Sequence, residues 1–153
     1  MPEWLFMDNE FTPKIWKKQD TILIRLPYND LDAHASEHFK GMVEDIIAAY
    51  TFKCLILDFS DVVLLDGTGL ASIVYTLNVC SANGIKLILA TLRPNIVEMI
   101  AKKGIPALLE IFGTVHDALD AATKYTSIDE LSNKSLKSME NVFGNPFEED
   151  IKY

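Results

Sequence analysis

Apolar and polar residues follow two different periods along this chain. Residues 14–18 and 21–26 flank Gln19-Asp20, a pattern that predicts two strands joined by a tight turn. Residues 54–59 and 86–90 are apolar almost without interruption, which is typical of strands covered on both faces. Residues 111–112 predict a short strand at one edge. The pattern therefore predicts a sheet with a buried centre and an antiparallel opening hairpin.

Between these strands, apolar residues recur every three or four positions, as on a helix with one buried face. Four segments have this pattern: residues 34–49, 70–82, 94–103 and 115–124. Asp32 is the predicted cap of the first helix, and Asn83-Gly84 ends the second. Strands that alternate with helices predict an α/β layer fold with a small mixed sheet covered by about four helices.

The alternation is confined to residues 1–125, which we expect to form one domain. From residue 126 the sequence is richer in serine and asparagine and ends in an acidic segment. We expect residues 126–153 to be a C-terminal extension that is partly helical or disordered, with a weak helix near residues 128–139.

Charge and composition narrow the function. The formal net charge is −8, and the basic surface that nucleic acids require is missing, so direct DNA or RNA binding is not expected. Neither a secretory signal nor an apolar run long enough to cross a bilayer is visible, which favours a cytoplasmic protein without membrane insertion. Cys54 and Cys80 lie in apolar segments and are expected to be core residues.

The most informative segment is Asp66-Gly67-Thr68-Gly69-Leu70, which joins an apolar strand and loop to the second helix. Asp66 and Thr68 are both natural N-cap residues, and the glycines allow a sharp turn into the helix. An exposed hydroxyl at the positive end of a helix is well placed to carry a phosphate.

This segment resembles the signature of the STAS domain, the sulphate transporter and anti-sigma factor antagonist family. The resemblance extends over residues 12–124, through the strand at Gly84–Ala90 and the block from Gly104 to Phe112. It implies a small mixed sheet covered by several helices.

The resemblance also implies a function. Antagonists of this family are non-enzymatic regulatory domains that bind a serine-kinase-type anti-sigma factor, and the residue after the motif's Asp is their phosphorylated Ser or Thr. Here that residue is Gly67, so the usual switch is absent. Thr68 and Ser60 are the nearest alternative acceptors. The expected partner-binding residues are Asp66, Gly67, Thr68, Gly69, Leu70, Ala71 and Tyr75.

Two other functions remain open within the same fold. One is a STAS subunit that regulates an ABC-transporter ATPase, and the other is a STAS domain that binds a small ligand. An aromatic-rich N-terminal segment also leaves a homodimer open.

The sequence does not predict a nucleotide, metal or catalytic site. Gly67-Thr68-Gly69 lacks the lysine and the spacing of a phosphate-binding loop, and no cofactor is expected. His34 and His38 are four residues apart with Glu37 between them, but the order differs from that of zinc proteases. We expect a solvated helix face there, with no metal site and no catalytic triad.

Overall fold

The structure, a computed structural model, describes residues 11–105 and 109–129. Its strands are β1 Lys14–Lys18, β2 Thr21–Arg25, β3 Asp30–Leu31, β4 Cys54–Asp58, β5 Leu64–Leu65, β6 Lys86–Ala90 and β7 Glu110–Phe112. Its helices are α1 Ala33–Ala49, α2 Gly67–Ala82, α3 Pro94–Lys102 and α4 Val115–Asp129.

Five strands form one mixed sheet in the order β1-β2-β4-β6-β7. The β1–β2 hairpin is antiparallel, and every other neighbouring pair is parallel. Leu55 at the centre lies opposite Ile22 of β2 and Leu87 of β6. The predicted mixed α/β fold is therefore confirmed.

The central strand β4 has side chains in two separate cores. Leu55 and Leu57 pack with α1, α2 and α3, whereas Cys54 and Ile56 pack on the other face with α4. All five residues of β4 are buried. Because both faces are covered, the strand needs apolar residues at nearly every position, which is why its sequence shows no alternation.

The two cysteines lie in different cores and are both unpaired. Cys80 of α2 belongs to the larger core and Cys54 to the smaller one. Burial raises the pKa of each thiol to about 12, so both stay protonated at neutral pH. They are core residues, as the sequence predicted.

A second, two-stranded sheet was not predicted from the sequence. β3 pairs in parallel with β5, so that Leu31 lies opposite Leu65. Both of these leucines are buried, while Asp30 and Leu64 point outward. Both strands lie in segments for which the sequence predicted no strand, because a two-residue strand is too short to produce a visible period.

The start of α2 lies unusually close to this small sheet at Gly69. A Cβ atom built on Gly69 would be 2.1 Å from the Leu31 carbonyl oxygen and 2.7 Å from Leu65 Cδ1. Real side chains do not tolerate such distances, so only glycine fits there. A Cβ on Gly67, two residues earlier, would meet nothing within 4 Å.

The helix ends agree with most predictions. Asp32 caps α1, because its carboxylate accepts a hydrogen bond of 3.0 Å from the Ala35 amide.

The last helix, α4, continues to Asp129, five residues past its predicted end. Near that end, Tyr125 borders a groove of about 220 Å³ with Leu77 and Ser81 of α2. The weak helix predicted near residues 128–139 lies almost entirely outside the described residues.

Replacement of Gly69 by alanine tests the close approach. We expect Gly69→Ala to lower the free energy of unfolding by about 1–3 kcal/mol, because the new methyl group overlaps backbone that cannot move aside. Urea unfolding followed by circular dichroism measures this. Gly67→Ala is the matched control and should leave stability unchanged or slightly raised. Equal stability of the two variants would contradict the packing described here.

Candidate functional site

The loop between β4 and α2 is held at its first residues by a buried carboxylate. Asp58, only 8% exposed, accepts hydrogen bonds from the Ser60 amide at 3.0 Å and from the Thr91 hydroxyl. The Phe59 amide donates to the Ala90 carbonyl oxygen at 2.9 Å. These bonds tie the ends of β4 and β6 together where the loop begins.

Thr91 makes this link from a strained backbone. Its φ of 59° lies in the left-handed region, which is unfavourable for a β-branched residue. Its amide donates to the Phe112 carbonyl oxygen at 3.0 Å, and its hydroxyl donates to Asp58. The hydrogen bonds of the Thr91 amide and hydroxyl offset this strain. The residues around Thr91 therefore hold it in this conformation, and Thr91 in turn helps to fix Asp58 at the start of the β4–α2 loop.

The second half of the loop is held by Asn29, the residue before β3, and by α3. The amides of Val63 and Leu64 donate to the Asn29 carbonyl oxygen at 2.7 and 3.2 Å. The Asn95 side chain donates to the Val63 carbonyl oxygen at 3.1 Å. The loop therefore delivers Asp66 to a fixed place at the start of α2.

Asp66 is the residue that caps α2. Its carboxylate accepts a hydrogen bond of 2.8 Å from the Gly69 amide and one of 2.6 Å from the Thr68 hydroxyl. The Thr68 hydroxyl and then the Gly69 amide lower the pKa of Asp66 below its usual value. The sequence left Asp66 and Thr68 as alternative caps; the structure assigns the cap to Asp66, with Thr68 as a donor to it.

Six of the seven predicted partner-binding residues, residues 66–71, lie at the start of α2 and divide into two groups. Asp66, Gly67, Thr68 and Ala71 are exposed, and we call these four residues the motif surface. Gly69 and Leu70 are buried beneath it. Gly69 packs against the Leu31 backbone of β3, so within residues 66–71 the motif surface is the part that presents atoms to solvent.

Tyr75 lies further along α2, where it joins α2 to α1. Its hydroxyl donates to the Glu44 carboxylate, and this hydrogen bond raises the pKa of Tyr75. The Lys40 ammonium lies 5.6 Å from the centre of the tyrosine ring, within the range of a cation–π contact. The side chain is half-buried and held by its neighbours.

The two candidate phosphoacceptors differ in access. The Thr68 residue is exposed, and its hydroxyl lies at the helix start. The Ser60 Oγ atom is buried and has no hydrogen-bond partner among the described residues. A kinase could reach Thr68 in this arrangement, whereas Ser60 would first have to move.

The histidine pair packs against aromatic residues. His34 is exposed, but His38 is half-buried, and its Nδ1 atom lies 2.7 Å from the Tyr28 hydroxyl oxygen. The Phe11 ring contacts both imidazoles, with ring centres 5.5 and 5.1 Å away. The prediction of a solvated helix face is therefore wrong for His38, because the helix turns this residue towards buried Tyr28.

The described residues contain neither a metal-binding cluster nor a membrane-spanning helix. In residues 11–105 and 109–129, no group of three or more His, Cys, Asp or Glu side chains is arranged to hold a metal ion. Within the same residues, no helix combines the length and the apolar character that crossing a bilayer requires.

Comparison with protein families identifies the chain. The model of the STAS domain family matches residues 13–118, and the protein belongs to this family. The match includes the β4–α2 loop and the motif surface, as the resemblance of the sequence had implied.

Solved structures with the same fold include anti-sigma factor antagonists and a sulfate transporter family protein. The anti-sigma factor antagonist SpoIIAA of Bacillus is 21% identical, with a TM-score of 0.61 over 72% of this chain and 94% of its own. An anti-sigma factor antagonist from Mycobacterium paratuberculosis is 17% identical, with a TM-score of 0.63 over 73% and 93%. A sulfate transporter family protein from Wolinella succinogenes is 19% identical, with a TM-score of 0.64 over 71% and 88%.

Removal of the cap should show its role and its pH dependence. We expect Asp66→Ala to lower the urea midpoint more than Thr68→Val, because alanine leaves the Gly69 amide without its acceptor. The pKa of Asp66 is lower in the folded state than in the unfolded state, where it is about 3.9. The ionised cap therefore stabilises the fold above the unfolded-state pKa, and this stabilisation is lost as the pH falls through the folded-state pKa. Unfolding curves at pH 7 and at pH 2–3 test both statements. A difference between Asp66→Ala and the unchanged protein that is as large at the lower pH would contradict the ionised cap.

Proposed function

We propose that this protein is a non-enzymatic regulatory domain that binds a protein partner of the serine-kinase-type anti-sigma class through the motif surface. The proposal includes a cytoplasmic site of action, because a kinase-type partner uses ATP. The observation that carries it is the setting of Gly67. This residue is exposed beside Asp66 at the helix start, in the place that the family resemblance gives to the phosphorylated Ser or Thr.

The motif surface has the physical properties of a docking site. The loop that precedes it donates hydrogen bonds to the Asn29 carbonyl oxygen and the Asp58 carboxylate and accepts one from the Asn95 side chain. Because these bonds fix the loop, little ordering is needed when a partner binds. A phosphate at this point would add nearly two negative charges beside Asp66 and disfavour an interface. Because Gly67 has no hydroxyl, we propose that binding is constitutive or is regulated elsewhere, for example through residues 126–153.

A second candidate is a STAS subunit that regulates a transporter ATPase. The likeness to a sulfate transporter family protein favours it, although that likeness concerns the fold alone. Purified partners of the two classes distinguish the candidates, because each predicts binding to one and not to the other. A small-ligand-binding domain is the third reading, and a ligand-induced rise in melting temperature would favour it.

A permanent charge at residue 67 tests the docking site. A partner that covers the motif surface would bury the carboxylate of Gly67→Asp without a counter-charge, which should weaken binding by about 3 kcal/mol, more than a hundredfold in Kd. The substitution fits the fold, since no atom lies within 4 Å of the new Cβ. Calorimetric titration with a purified anti-sigma kinase from the same genome provides the measurement.

Gly67→Ala is the control for that experiment. It adds the same Cβ without the charge and should bind within a few-fold of the unchanged protein. Retention of full affinity by Gly67→Asp would place the interface on another part of the molecule.

Restoring the hydroxyl tests the altered switch. We expect the same kinase with ATP to leave the unchanged protein unmodified and to phosphorylate Gly67→Ser at residue 67. Mass spectrometry of the products shows which residue carries the phosphate, and Gly67→Ala should behave like the unchanged protein. Efficient phosphorylation of the unchanged protein at Thr68 would instead show that the switch has moved by one residue.

A further inference from the structure

An acidic groove opens beside the motif surface, between the small sheet and the first turns of α1 and α2. It has a volume of about 290 Å³. Its lining residues are Asp30, Leu31, Asp32, Leu64, Leu65 and Asp66. It shares Asp66 with the motif surface, so the two form one continuous face.

The groove has an exposed apolar side chain at its edge. Leu64 is 56% exposed and its neighbour Val63 is 38% exposed, while Leu65 is buried. The backbone of both exposed residues is fixed by hydrogen bonds to the Asn29 carbonyl oxygen. An exposed leucine on a fixed backbone offers a partner an apolar contact that requires little ordering of the chain on binding.

The charges in the groove have one sign. Three carboxylates line it, and the lining residues that the structure describes include no basic side chain. Asp32 and Asp66 are each held in place by the backbone amide that they cap. Fixed carboxylates around an apolar side chain favour a ligand that is both basic and apolar.

We infer that this groove receives a segment of the protein partner in which an apolar side chain, packed on Leu64, is flanked by lysine or arginine residues that face Asp30, Asp32 and Asp66. The inference rests on the proposed function, because the partner is the one that contacts the motif surface. The proposed interface thus extends from the motif surface on α2 across β5, and the partner segment that contacts β5 is both apolar and basic.

Two substitutions test the two parts of the groove without disturbing the helix caps. Leu64→Ser removes the apolar contact, and we expect it to raise the Kd of the purified kinase-type partner about tenfold. Asp30→Asn removes one carboxylate that caps no helix, and we expect a rise of about threefold with a weaker dependence of Kd on salt concentration. Binding is measured by calorimetry between 50 and 300 mM salt, over which the screening length changes by about 2.4-fold.

Matched controls lie on distant elements. Ile111→Ser removes an apolar side chain that is 37% exposed on the edge strand β7, and Asp120→Asn removes a carboxylate on the exposed face of α4. Both should bind as the unchanged protein does. Urea unfolding of all four variants should confirm that the fold is intact.

The outcomes separate this inference from the proposed function. If Gly67→Asp abolishes binding while Leu64→Ser and Asp30→Asn bind normally, the motif surface is the interface and the groove is not part of it. If Gly67→Asp also binds normally, the proposed docking through the motif surface fails as well, and the interface lies on another part of the molecule. If Leu64→Ser changes the size of the free protein by analytical ultracentrifugation and leaves partner affinity unchanged, the groove holds a second copy of this chain and the inference is overturned.

Discussion

The contact between Gly69 and the Leu31 carbonyl group determines where the second helix begins. Backbone approaches backbone there with no room for a side chain, so the first turn of α2 has a single position relative to the β3–β5 sheet. Asp66 then caps the helix from the end of β5, and the exposed residues beside it are placed by the same contact. The motif surface and the acidic groove both depend on this one approach.

Two glycines only two residues apart therefore have opposite roles. Gly69 is required by packing, whereas Gly67 has open space around the position of a Cβ atom. The chain could carry a side chain at residue 67 without any change of fold. The fold therefore does not require glycine at residue 67, and the missing hydroxyl changes only the chemistry of the exposed surface.

Much of this architecture could be predicted from the sequence, because its signals are local. The continuous apolar pattern of β4 reports burial on both faces, and Asp32 and the Asn83-Gly84 pair mark helix ends through their own backbone chemistry. The STAS signature located the motif surface.

What could not be predicted depends on contacts between distant residues. The pairing of Asp30–Leu31 with Leu64–Leu65 joins segments more than thirty residues apart and involves only two residues on each side. The exposure of Leu64 and the acidic groove follow from that pairing, so they were missed with it. The partial burial of His38 was also missed, because it depends on a contact with Tyr28, which lies outside the helix of His38.

The position of Gly69 within α2 has a mechanical consequence. At 1.5 Å per residue, the helix extends about 3 Å from Gly69 to its first residue, Gly67, and about 20 Å to its last residue, Ala82. That far end lies near Tyr125, where α4 approaches Leu77 and Ser81. If α2 tilts as a rigid rod about its tight contact with Leu31, it acts as a lever with unequal arms. A displacement beside α4 then moves Gly67 by only about a seventh as much, so the start of the helix stays nearly still while its opposite end moves.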